Sequence, residues 1–120
     1  MKVKLTTGTI ALSALMLTST ALGGAPKPVQ HIDVTASRFS FEPHEITVKK
    51  GDPVTITMHS TDVTHGLVIE ELGVRTTEVK KGQSEDLTLT PGEVGNFEGR
   101  CAHFCGKGHG SMIFTVHVVD

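Results

Sequence analysis

The chain contains no tryptophan and no tyrosine, so five phenylalanines must supply all of its large aromatic volume. It also lacks a cationic excess. Eleven Lys and Arg face thirteen Asp and Glu, and two of the cations, Lys2 and Lys4, lie at the extreme N-terminus. The remainder carries nine cations against thirteen carboxylates. No basic stripe exists to neutralise phosphates, which excludes nucleic acid as a partner. A mild acidic excess suits docking to a basic partner. No apolar run is long enough to span a bilayer comfortably; the longest, Ile10 to Leu17, is short and interrupted by Ser. No cysteine follows it, which argues against a lipoprotein anchor. After residue 30 no segment has helical periodicity of useful length, and there is no repeat or low-complexity tract.

Met1 to Gly24 reads as a signal peptide. Lys2 and Lys4 form its positive start, Ile10 to Leu17 its apolar centre, and Ser19-Thr20-Ala21 or Ala21-Leu22-Gly23 its small-residue cleavage site. Residues 25–30, Ala-Pro-Lys-Pro-Val-Gln, read as a linker. Residues 31–120 then form one domain, exported to the periplasm or another extracytoplasmic space. An uncleaved signal would leave it membrane-associated. A domain this small is stabilised modestly by its core, so a bound metal would add usefully.

What the body does have is period-two alternation. His31 to Ala36, Glu45 to Lys49, Val54 to Met58, Gly66 to Ile69, Asp86 to Thr90 and Ile113 to Val119 all read as strands. Phe39 and Phe41 flank Ser40, which predicts two aromatics on one face of a further strand. Val94 to Arg100 leads into the cysteines. Lys50-Gly51-Asp52-Pro53, Lys80-Lys81-Gly82-Gln83 and Pro91-Gly92-Glu93 are turns. Short strands at this spacing predict an all-β chain folded as a β-sandwich.

The chemistry is concentrated in Cys101-Ala102-His103-Phe104-Cys105-Gly106-Lys107-Gly108-His109-Gly110-Ser111-Met112. Two thiols, a thioether and borderline imidazoles suit copper. Gly106, Gly108 and Gly110 allow the tight backbone that lets residues 101, 105, 109 and 112 converge. His65, at the head of an apolar strand, is a further strong donor. A mononuclear blue-copper site needs one Cys fewer than the chain offers. A closed zinc site could use His65, Cys101, Cys105 and His109, but would leave Met112 without a role. Two coppers bridged by two thiolates use every donor, with a backbone carbonyl between the cysteines as a further weak one.

The loop resembles the binuclear CuA loop of cytochrome c oxidase subunit II, Cys-x3-Cys-x3-His-x2-Met, and that of nitrous oxide reductase. His65-Gly66-Leu67-Val68-Ile69-Glu70-Glu71-Leu72-Gly73-Val74 is similar to the subunit II segment that starts at its first His ligand. Phe41-Glu42-Pro43 and Val48-Lys49-Lys50-Gly51 resemble the opening strands of small exported cupredoxins. The likeness spans about residues 32–119. It implies a cupredoxin-like Greek-key sandwich holding two copper ions. The implied ligands are His65, Cys101, Cys105, His109, Met112 and the carbonyl of His103. It also implies an electron-transfer role, taking electrons from a cytochrome c or a small copper protein and passing them to a haem-copper oxidase or other reductase. His103 stands where subunit II carries a Glu that also holds magnesium. The sequence has neither two transmembrane helices nor a Trp-rich surface, so a stand-alone CuA-like domain with no catalytic site of its own is expected. A periplasmic copper chaperone using the same ligands is the alternative.

The remaining candidates read blandly. Two cysteines alone would favour a disulfide, but His65, His109 and Met112 in register favour metal. Neither Cys sits in a pattern with a base and an orienting group, as a hydrolase nucleophile would. His31, His44, His59 and His117 are expected at the surface, and Met58 in the core. Phe104 and Ile113 are expected to shield the centre from water.

Overall fold

The computed structural model describes residues 27–120. The expected signal peptide, 1–24, and the start of the linker lie outside the described residues. Nine strands follow in order. They are β1 (Gln30–Ser37), β2 (Ser40–Glu42), β3 (Glu45–Lys49), β4 (Val54–Ser60), β5 (His65–Ile69), β6 (Val74–Val79), β7 (Ser84–Leu89), β8 (Gly95–Arg100) and β9 (Ile113–Val119). Single 3₁₀ turns occur at Glu70–Leu72 and His109–Ser111. One sheet runs β2-β1-β4-β7 and the other β3-β9-β8-β5-β6. The β1–β4 and β3–β9 pairs are parallel and the others antiparallel. The result is the expected all-β Greek-key sandwich.

The alternation read from the sequence decides which face is inside. In β3, Ile46 and Val48 are buried while Glu45, Thr47 and Lys49 face water. Val34, Ile56 and Met58 from one sheet meet Leu67, Phe114 and Val116 from the other, and all six are fully buried. Phe41 of β2 and Phe114 of β9 close the gap edge to face, with centroids 5.9 Å apart at 66°. Such a pair adds about 0.5–1.5 kcal/mol to the burial of its rings.

Two expectations fail. Strand β6 is absent from the alternation pattern, because its middle residues Arg75 to Glu78 are all polar. It forms the edge of its sheet, where only Val74, Thr76 and Val79 need to face inward. Phe39 does not share a face with Phe41. It lies in the turn before β2, 38% exposed, while Phe41 enters the core.

Strand direction gathers the functional residues. β1, β4, β6 and β8 run toward one end of the sandwich, and β2, β5, β7 and β9 start from it. Residues 38–39, 61–64, 80–83 and 101–112 therefore share that end. Backbone bonds stitch them together: Thr61 N–H to the Ala36 carbonyl at 3.2 Å, Ser60 N–H to the Gln83 carbonyl at 3.1 Å, and Gly82 N–H to the Ser60 carbonyl at 2.8 Å.

Candidate metal centre

The loop between β8 and β9 closes on itself. Cys101 N–H donates to the Met112 carbonyl at 3.2 Å, joining its ends. Inside it, His109 N–H bonds the Gly106 carbonyl (3.1 Å) and Met112 N–H bonds the His109 carbonyl (3.3 Å). These turns carry His109 and Met112 back over the cysteines. His65 comes from the other side, at the head of β5, beside β8 through the Val68–Arg100 pairing.

The donors converge. Cys101 Sγ and Cys105 Sγ lie 3.9 Å apart. His65 Nδ1 is 3.8 Å from Cys101 Sγ, and His109 Nδ1 is 3.8 Å from Cys105 Sγ. The His103 carbonyl lies 3.1 Å from Cys101 Sγ, and Met112 Sδ lies 3.3 Å from Cys105 Sγ. Each thiol therefore has one imidazole and one weak donor on its own side. Both cysteines are free; their separation is well beyond the ~2.05 Å of a disulfide. His65 and Met112 are fully buried, and Cys101 and Cys105 nearly so. The ligating atoms of His65, Cys101 and Cys105 all fall within 4.8 Å of one another, the one such cluster among the described residues. This soft-to-borderline set suits copper far better than magnesium or calcium.

A supporting shell went unread in the sequence. Asp62 Oδ1 accepts from His65 Nε2 at 2.7 Å. The carboxylate only accepts, so the proton sits on Nε2 and the Nδ1 lone pair is left facing Cys101. Asp62 also accepts from Val63 N–H and Arg38 N–H, each at 2.7 Å. Burial pushes its carboxyl up, but the bonds from Arg38, His65 and Val63 together prevail and hold it at about 2. The spacing Asp62-x2-His65 was the available signal. Arg38 reaches further, donating from Nε to the Cys105 carbonyl at 3.1 Å. The neighbouring Phe39 ring covers the loop's glycines. A Cβ on Gly106 would stand 2.9 Å from the ring, and one on Gly108 closer still. Gly106 also has φ +134°, a conformation that favours glycine. Gly110 faces open space, so close packing does not require glycine there.

Burial raises the Cys105 thiol to about 11, helped by the neighbouring Cys101 and by Asp62, with Arg38 opposing. The metal-free thiol is thus protonated near neutrality. The His103 ring turns back on its own loop, Nδ1 3.0 Å from the Phe104 carbonyl. One expectation is corrected: Phe104 does not seal the site. It is 74% exposed, because the turn between the cysteines points its side chain outward, with its ring 5.6 Å from that of His109. Ile113 is half-buried. Of the other histidines, His31 and His44 are exposed, and His59 and His117 are partly exposed on the outer sheet faces. None of the four joins the cluster. Met58 is core, as expected.

Residues 8–114 match the profile of the cupredoxin-like domain family. The chain belongs to that family. It is 31% identical over 87 residues to cytochrome c oxidase subunit 2 of Thermus thermophilus, covering 72% of this chain and 64% of the relative. The chain thus spans less than two thirds of that relative's length. The periplasmic domain of subunit II of cytochrome oxidase (CoxB) of Bradyrhizobium japonicum superposes with TM-score 0.69 at 19% identity, covering 76% and 84% of the two chains. The metal-binding domain of the Cu(I) exporting P-type ATPase CopA of Streptococcus pneumoniae, solved with Cu(I), gives TM-score 0.64 at 24% identity, covering 77% and 87%. Both likenesses establish the fold. In this cupredoxin-like domain the donor loop sits at the end of the sandwich where β8 hands over to β9, framed by three other connections.

Proposed function

We propose that this cupredoxin-like domain is an exported electron-transfer protein with a binuclear, CuA-like copper centre. The observation that carries the reading is the matched surroundings of the two thiols. His65 and the His103 carbonyl flank Cys101, while His109 and Met112 flank Cys105. Two bridging thiolates would leave each copper with one imidazole and one weak donor. Bound there, the copper pair supplies one-electron redox chemistry and no bond-making step. The residues of the chain do the rest. Asp62 fixes the His65 ring, the Arg38–Phe39 turn clamps the loop, and the buried thiols and thioether exclude water. A cage held this firmly changes little between redox states.

The same reading puts the domain outside the cytoplasm, with residues 1–24 as its signal peptide, and the likeness to oxidase subunit II supports that location. A cytochrome c or a small copper protein would be its electron donor and a haem-copper oxidase its acceptor. Among the described residues no helix is long and apolar enough to cross a membrane.

A copper-delivery role is the second reading, favoured by the likeness to a Cu(I)-bearing exporter domain. Copper content and the absorption spectrum separate the two. The electron-transfer reading requires two coppers per chain and a purple, mixed-valence colour. One readily exchanged, colourless Cu(I) per chain would support delivery instead.

A further inference from the structure

The charges of this domain are sorted by end. The four connections at the metal end, residues 38–39, 61–64, 80–83 and 101–112, carry Arg38, Lys80, Lys81 and Lys107 against one carboxylate, Asp62. That carboxylate is occupied, accepting from Arg38 N–H, Val63 N–H and His65. The four cations are exposed, and none forms an ion pair among the described residues. The connections at the opposite end, 50–53, 70–73 and 90–94, carry Lys50 against Glu70, Glu71, Glu93 and Asp52, the last paired with Lys27 at 2.9 Å. Glu78 and Glu85 lie on the strands below the 80–83 turn, on the flank rather than the end, and Glu85 accepts from Thr76 at 2.6 Å.

The same end carries exposed apolar surface. Phe104, 74% exposed, lies in the turn between the two cysteines, and Phe39, 38% exposed, lies over the loop glycines. A shallow depression of about 330 Å³ runs beside them, lined by Arg38, Val63, Thr64, His103, Phe104, Cys105 and Gly106, without a single carboxylate. Of two other depressions, one is lined by Glu70, Glu71, Glu98 and Arg100, and one, on the flank beside the 80–83 turn, by Glu78, Gln83 and Glu85.

We infer that the metal end is a docking surface for a protein partner whose contact patch has an apolar centre and an acidic rim. The net charge of the chain suggests the opposite partner, but distance decides. A seven-residue strand such as β4 spans about 23 Å. The Debye length at physiological salt is about 8 Å. A partner approaching the metal end therefore senses the cations of its connections more strongly than the carboxylates of the opposite end. The matching rim selects the partner and speeds encounter more than it adds affinity. The inference rests on the proposed electron-transfer role, since it names the chemistry of the partner at that same site.

The test has two arms. In the first, the full metal-free chain is titrated at low salt with poly-L-glutamate, poly-L-lysine and phosphatidylglycerol vesicles, and amide shifts are followed by NMR. Polyglutamate should move the amides of 38–39, 80–83 and 103–108. Polylysine should move those near Glu70, Glu71 and Glu93. Site-end shifts with polylysine, or none with polyglutamate, would overturn the inference. A larger site-end response to the vesicles would overturn it in favour of a lipid surface. In the second arm the chain is loaded with copper, reduced, and oxidised by hexacyanoferrate(III), an anion, or tris(phenanthroline)cobalt(III), a cation; each takes one electron. The anion should react faster at low salt and slow as salt rises, and the cation should do the reverse. The triple variant Lys80→Glu, Lys81→Glu, Lys107→Glu should slow the anion about tenfold, while Glu70→Lys with Glu71→Lys leaves it unchanged. Equal salt dependence for both oxidants would contradict the inference. No oxidation by either would refute the electron-transfer role, and the NMR arm would still decide the docking surface.

Discussion

The body of the sandwich and its metal end are held by different forces. The body is a dry interface of alternating side chains, with Val34, Ile56, Met58, Leu67, Phe114 and Val116 wholly buried. At the metal end Cys101, Cys105 and Met112 join that buried cluster, but the loop that carries them is fixed in another way. It is held by a few directed contacts: the Asp62 carboxylate on His65, the Arg38 guanidinium on the Cys105 carbonyl, and the Phe39 ring on two glycines. Area sets the stability of the first, and geometry sets the precision of the second. Damage to one should leave the other measurable.

The sharpest break in that comparison is a core truncation. Phe114→Ala removes the partner of Phe41 and should cost about 3–5 kcal/mol of folding free energy, read by denaturant unfolding of the metal-free chain. A change under ~1 kcal/mol would mean that the two sheets are not joined there. Next in size is Gly108→Ala. Its Cβ would collide with the root of the Phe39 side chain, which cannot swing aside as a flexible tip could. A loss of about 1–3 kcal/mol, together with weaker copper retention, is expected. Gly110→Ala, in open space, should change neither.

A purely local break should spare the body entirely. Asp62→Asn removes the charge that holds the His65 proton on Nε2, and copper affinity should fall about 10–100-fold with the β-sheet circular dichroism unchanged. The same carboxylate makes a pH prediction. Its folded value of about 2 lies below the ordinary 3.8. The stability it contributes is therefore full above pH 3.8 and is lost as pH falls through about 2. Acid unfolding of the metal-free chain should show a smaller loss in this window for Asp62→Asn than for the parent. Smallest of all is Met112→Leu. It should keep both coppers and raise the reduction potential, since only a weak axial donor is removed. Complete loss of metal would make Met112 a principal ligand.

The same division explains what the sequence made legible. Strands such as Glu45 to Lys49 announce themselves because one face meets the core and the other meets water. The donor loop was legible because five donor side chains and three glycines fall within twelve residues. His65 was legible as the lone histidine opening an apolar strand. What stayed hidden depends on distance along the chain. Arg38 meets Cys105 across 67 residues, and no local pattern encodes that contact. Phe39 looked like a core partner of Phe41 until the turn placed it over the loop. β6 was missed because an edge strand with solvent on one side can keep a polar middle. Counting charges gave the right total but not its sorting between the two ends.

The central claim is that the paired thiols hold two coppers that share one unpaired electron, and electron paramagnetic resonance of the copper-loaded, partly oxidised chain tests it most directly. An unpaired electron shared over two copper nuclei gives a hyperfine pattern with more, and more closely spaced, lines than one electron on one nucleus. The account predicts the shared pattern, with two coppers per chain. It also predicts that Cys101→Ser abolishes this pattern, because a hydroxyl cannot bridge two coppers as a thiolate does. A single-nucleus pattern at one copper per chain, or a shared pattern that survives Cys101→Ser, would contradict it.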